Sequence, residues 1–198
     1  MLARGLSKSF ISPNWISAFS TIFSAAAGIC AWETGRADGW ARAGFLLGTV
    51  AGMQLRLLCN LMDGMVAVEG GKGSMSGELW NDVPDRISDL LIIVPFGYAL
   101  GTLPMAHELG WLAGVVAVLT AYVRLLGGSL GLKQNFGGPL SKPRRMAVMS
   151  AACLLSCFEP LVGWHGVVIY AALIVVAAGG ALTFVMRLRQ IAHELEAR

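Results

Sequence analysis

Long apolar stretches recur along the chain, separated by short polar ones. Candidate spans run over Trp15–Trp32, Trp40–Asn60, Pro84–Leu103, Gly110–Leu130, Met146–Cys157 with some extension, and Val167–Met186. Crossing a hydrocarbon layer of about 30 Å takes about 20 residues of helix. The fifth stretch is the shortest because Glu159-Pro160 ends it, so it is expected to begin in the basic loop before it. The pattern predicts an all-α integral membrane protein of six transmembrane helices, forming a single membrane domain over residues 1–198. Before the first span, Phe10–Ser17 mixes apolar and polar residues and is expected to form a short interfacial helix, with Trp15 at headgroup depth. Met1–Asn14 has no apolar core followed by a small-residue cleavage site, so no signal peptide is expected.

Composition agrees with a bilayer. Only 14% of residues are charged and 56% are apolar, with a mean hydropathy of +0.65. A soluble domain carries about 25% charged residues. These values exclude a disordered chain, a nucleic-acid-binding domain and a secreted disulfide scaffold. Cys30, Cys59, Cys153 and Cys157 have no CxxC spacing and read as small side chains in apolar surroundings. The three histidines are scattered, which excludes a structural zinc site.

Orientation follows the basic residues. One side collects Arg4, Lys8, Lys72, Lys133, Lys142, Arg144, Arg145, Arg187, Arg189 and Arg198, and the other has Arg36 and Arg42. Both termini are therefore expected in the cytoplasm, in a bacterial inner membrane. Gly48 with Gly52, and Gly127 with Gly131, permit close helix approach within one chain or between two.

Charge is scarce, so its concentration is informative. Nine of the charges fall within Arg56–Asp89. Asp63 follows the second span, while Asp85 and Asp89 lie inside or at the edge of the third, one helical turn apart, with Asn81 one turn earlier on the same face. A buried charge is costly in lipid. Arg86 can neutralise part of the group; carboxylates and amide oxygens from two helices around a wet cavity also suit a hard cation, Mg²⁺ or Mn²⁺.

The stretch Asn60-x2-Asp63-Gly64-x2-Ala67-Val68, then eight residues, then Gly77-x3-Asn81-x3-Asp85 resembles the CDP-alcohol phosphotransferase signature, D-x2-D-G-x2-A-R-x8-G-x3-D-x3-D. Every spacing is met. Asn60 and Asn81 replace two aspartates, and Val68 replaces the arginine. The resemblance implies a six-helix membrane enzyme, usually a homodimer, that displaces CMP from a CDP-linked alcohol by attack of an acceptor hydroxyl. It implies Asp63 as a metal and nucleotide ligand, and Asp85 as ligand or general base. It also implies close approach of the CDP donor to the backbone at Gly64, Ala67 and Gly77. Asn60 and Asn81 stand at ligand positions, with Asp82 and Asp89 near enough to compensate for the missing acids.

Farther on, Arg124 lies in the fourth span with no acid beside it. It is expected either to pair with an acid of the third helix or to join Lys133, Lys142 and Arg145 in a basic pocket for an acceptor phosphate. The Tyr122-Val123-Arg124 stretch and the following basic loop resemble the phosphatidylinositol-phosphate synthase branch of the family. For the basic loop, anchoring on anionic headgroups is the other reading.

Together these features predict an enzyme of phospholipid biosynthesis: a phosphatidyltransferase moving a group from a CDP-linked lipid to a hydroxyl acceptor, facing the cytoplasm. Two alternatives remain open: a relative without catalysis that binds CDP-lipid or a partner protein, and a small transporter using the same acids.

Overall fold

The computed structural model describes residues 13–69 and 77–197. Among these the chain forms helices α1 (Pro13–Glu33), α2 (Gly39–Glu69), α3 (Gly77–Ala99), α4 (Ala106–Ser129), α5 (Lys142–Ser156) and α6 (Val167–Glu196), with a 3₁₀ turn over Glu159–Val162. The all-helical expectation holds. Most of the expected interfacial helix, and Lys72, lie outside the described residues; Trp15 is already inside α1 and exposed.

Four helices are long and apolar enough to cross a bilayer: Trp15–Glu33, Gly39–Asp63, Ala106–Ser129 and Val167–Glu196. The other two differ for physical reasons. Helix α3 begins at Gly77, before the span expected from Pro84, and the added turns carry Glu78, Asn81 and Asp82. Helix α5 starts in the basic loop, as its sequence suggested, but its 15 residues rise only about 22 Å. At 31 residues, α2 is longer than a span needs, so its last turns carry Asn60 and Asp63 toward the start of α3.

Helix α1 packs on α2 and α3, α3 on α4, α4 on α6, and α5 on both α2 and α6. Small residues set these spacings. A Cβ at Gly28 would stand 2.0 Å from the Leu91 carbonyl oxygen, and one at Gly97 would stand 2.6 Å from that of Ala106. Gly48 and Gly52 face Cys30 and Phe23 of α1, and Gly127 faces Ile191 of α6, so these three glycines serve packing within the chain. The core of Met53, Ile92, Ile93, Phe96, Met146, Met149 and Leu173 joins α2, α3, α5 and α6. Large apolar side chains such as Ile22, Ile29, Leu47 and Leu182 point outward, as a bundle solvated by lipid requires.

At one end, Arg42 at the start of α2 is buried and donates to Glu159 at 2.8 Å and to the Ser156 carbonyl at 3.3 Å. Arg42 lies near the start of its expected span, and packing of α2 against the end of α5 takes it out of water. The Glu159 carboxylate also accepts from the Gly166 and Val168 amides at 2.8 and 2.7 Å. Burial works to raise its pKa, but the amide bonds and Arg42 outweigh burial and hold the carboxyl below its usual range.

Candidate active site

The opposite end of α2 builds a different structure. Arg56, Asn60 and Asp63 recur at helical spacing and share a face. They meet the face of α3 that carries Asp85 and Asp89. Asn60 Nδ2 donates to Asp85 Oδ1 at 2.5 Å, and Lys142 Nζ, at the first residue of α5, donates to Asp85 Oδ2 at 2.5 Å. Arg56 Nη2 donates to Asp89 Oδ1 at 2.8 Å and reaches the Asp85 carbonyl and Oδ1 at 3.2 and 3.4 Å. Arg145 Nη2 completes Asp89 through Oδ2 at 2.6 Å. Ser17 of α1 donates to Asp63 at 2.6 Å.

These contacts open onto a cavity of about 460 Å³. Asn60, Asn81, Asp82 and Asp85 line it together with Arg124, Lys142, Arg145 and Arg187. Asp82 receives both Arg86 and Arg124 at 2.8 Å, so Arg124 pairs with an acid of the third helix and also reaches the cavity. The Arg124 guanidinium lies 4.8 Å from the Phe136 ring centre, a cation–π contact that fixes its plane.

The structure thus brings Asn60, Asn81, Asp82, Asp85, Arg124, Lys142 and Arg145 to one cavity. Asp63 lies one turn beyond Asn60 on α2, and Gly77 opens α3. Gly64 is within α2, and the Ala67 side chain is outside the described residues. Lys133 is separated from the group: it lines a small adjoining hollow with Asn135, Gln190 and Glu194, into which Arg124 and Arg187 also reach.

Two expectations about charge change. Arg86 follows Asp85 in the sequence but pairs with Asp82, and three cations from α2 and α5 meet Asp85 and Asp89 instead. Asp89 is fully buried, and each of its oxygens is taken by a guanidinium. It is therefore committed to an ion-pair network joining α2, α3 and α5, with no oxygen left for a metal.

Arg187 was counted with the terminal basic residues, but it is 6% exposed in the cavity wall. Its donors go to carbonyls, Thr120 at 2.6 Å and Gly137 at 2.8 and 3.0 Å. Among the described residues no carboxylate pairs with it, and its charge is met by carbonyl dipoles. The signal was present in the sequence: Arg187 follows Thr183 and Gly180 at helical spacing on the buried stripe of α6.

Whether the donors suit a divalent ion is decided by what each oxygen already touches. Two carboxylates, Asp63 and Asp85, and the amide of Asn60 approach from successive turns of α2 and from α3. The set suits at most one ion, which would share the Asp85 carboxylate with Asn60, Arg56 and Lys142, all of which already donate to it. It does not extend further: Asp89 and Asp82 are held by arginines, and no cluster of three Asp, Glu, His or Cys side chains is arranged for a metal among the described residues.

Comparison with known proteins follows the same lines. A phosphatidylinositol phosphate synthase of Mycobacterium marinum is 26% identical over 173 residues, covering 82% of this chain. The match spans 66% of that relative's length. The Mycobacterium tuberculosis phosphatidylinositol phosphate synthase in complex with manganese and citrate superposes with a TM-score of 0.78 at 21% identity, over 96% of this chain and 87% of that one. The chain shares the fold of that enzyme. The M. tuberculosis enzyme with CDP-DAG bound agrees at a TM-score of 0.77 and 22% identity, over 96% of this chain and 91% of that one. No family model matches the chain.

Proposed function

We propose that the chain is a membrane phosphatidyltransferase of phospholipid biosynthesis, taking a phosphatidyl group from a CDP-linked lipid, releasing CMP and esterifying a polar hydroxyl acceptor. One observation carries the reading. Asn60, Asn81, Asp82 and Asp85 line a single cavity together with Arg124 and Arg187, with Asp63 one turn beyond Asn60 on α2, in the fold of a synthase solved with CDP-DAG. The six helices would all cross the bilayer, with α3 and α5 doing so under cover of the other four. Both termini and the cavity would face the cytoplasm of a bacterial inner membrane, and the lipid tails would stay in the bilayer. Pairing of two copies, as the family resemblance implies, belongs to this reading.

A divalent ion, Mg²⁺ or Mn²⁺, would be held by Asp63 and Asp85 with Asn60, and it supplies neutralisation of pyrophosphate charge. The rest of the chemistry falls to the side chains. The acceptor oxygen attacks the phosphorus that bears the lipid, and the bond to CMP breaks. Asp85 is the carboxylate placed to take the acceptor proton, and Asn60 and Lys142 fix its orientation. Arg124 and Arg187 present forked donors on the acceptor side, suited to a phosphate group on the acceptor. Arg145 shares that wall but is tied to Asp89, so it holds the wall in shape.

Purified protein supplied with CDP-diacylglycerol, Mg²⁺ or Mn²⁺, and a panel of free and phosphorylated polyols tests this. Expected is divalent-dependent CMP release that Asp63→Asn and Asp85→Asn each abolish. Binding of CDP-lipid with no turnover across the panel would instead identify a non-catalytic relative, the reading that Asn60, Asn81 and Val68 favour.

A further inference from the structure

The family pattern has four aspartates at positions 60, 63, 81 and 85; this chain keeps two. Two lost charges would leave a two-ion site short of ligand anions, unless a cation were lost with them. The structure places a cation beside the last of these aspartates. Lys142 Nζ contacts Asp85 Oδ2 at 2.5 Å, while Asn60 Nδ2 contacts Oδ1 at 2.5 Å. Both oxygens of the last signature aspartate therefore already face donors from this chain.

From this geometry, and resting on the transferase reading above, we infer that the Lys142 ammonium is the resident counter-cation of Asp85, so the site takes one divalent ion where the four-aspartate pattern would hold two.

Three further observations support the assignment. Lys142 is set by the backbone: it is the first residue of α5, with Ser141 at the helix cap and Pro143 following, and Pro is preorganised for a helix start. Its side chain is 23% exposed and the Asp85 side chain 9%, so the pair sits at the cavity wall and not in bulk solvent. The nearby acids are already compensated: Asp89 by Arg56 and Arg145, and Asp82 by Arg86 and Arg124. A second divalent ion beside Asp85 would meet an ammonium, with no unengaged carboxylate to hold it. Like charges at such separation repel strongly where water is scarce.

The same assignment divides the basic residues. Arg124 and Arg187 serve an anionic ligand, whereas Lys142 serves the signature itself.

Counting Mn²⁺ in the full-length protein in detergent tests this, by electron paramagnetic resonance titration with neither donor nor acceptor present. Expected is one ion per chain. Lys142→Met, or Lys142→Gln if the first variant fails to fold, is expected to tighten Mn²⁺ binding at least tenfold or to admit a second ion. Lys142→Arg keeps the charge and is expected to keep the count at one. The triple variant Asn60→Asp, Asn81→Asp, Lys142→Met is expected to hold two. Two ions in the unaltered chain would overturn the assignment. So would a Lys142→Met variant whose Mn²⁺ count and affinity are unchanged, and that result would place Lys142 with the acceptor. Because no turnover is needed, failure of CMP release would sink the transferase reading without altering what the ion count says.

Discussion

The two ends of α2 each bury an arginine against a carboxylate, and they are completed in opposite ways. At Arg42 the network is closed: one carboxylate, one guanidinium and two backbone amides satisfy Glu159. At Arg56 it is left open. Among the described residues Arg56 Nε and Nη1 have no partner, nor do the Nε atoms of Arg86, Arg124 and Arg145. Buried donors without partners are costly, and a fold retains them where something else is to be bound. The first end holds α2, α5 and α6 together. The second carries polar capacity in excess of what the fold uses, around a cavity.

The largest expected effect falls on the open end. Asp85→Asn removes both the proton acceptor and a ligand charge, and CMP release is expected to drop by about 10³-fold or more, with thermal stability little changed. The closed end reverses that pattern. Arg42→Met leaves Glu159 charged and buried, at a cost of about 3–5 kcal/mol. Thermal unfolding in detergent is expected to show the loss, while CMP release per folded molecule stays near that of the unaltered protein. If Arg42→Met instead destroyed turnover in folded protein, the division between the ends would fail.

Next in size is Arg124→Met. Losing one charged donor costs about 1.5–3 kcal/mol, so KM for a phosphorylated acceptor is expected to rise about ten- to a hundredfold. KM for the CDP donor should move much less, and equal shifts in both would argue against separate subsites.

A pH series sharpens the contrast at Glu159. Its pKa is lower in the folded chain, so the stabilisation it gives is present above the unfolded value of about 4.3 and is lost as pH falls through the folded value. The gap in melting temperature between the unaltered protein and Glu159→Gln is expected to be full at pH 7 and to shrink below about pH 4. The smallest effect is expected at Lys133, outside the main cavity. Lys133→Ala should change either KM less than about twofold, the range of a solvated surface charge.

Much of this architecture was legible in the sequence because a lipid solvent leaves few choices. Apolar runs of span length gave the helices, and the signature spacing placed Asn60 and Asp85 where α2 and α3 meet. What escaped was partnership across the bundle. The cations that meet Asp85 and Asp89, namely Arg56, Lys142 and Arg145, come from other helices, whereas the sequence neighbour Arg86 pairs with Asp82. The burial of Arg42 and Arg187 escaped because composition registers a charge but not its burial. Helix ends were misjudged for the same reason: α3 starts at Gly77 since its charged first turns face a polar cavity, where a hydropathy count sees only the end of a span.

The most direct test is CMP release from CDP-diacylglycerol by the purified chain, with and without Mn²⁺, in the unaltered protein and in Asp85→Asn. The account predicts release that needs both the divalent ion and Asp85. Release that persists in Asp85→Asn, or its absence with every acceptor in the panel, would contradict it.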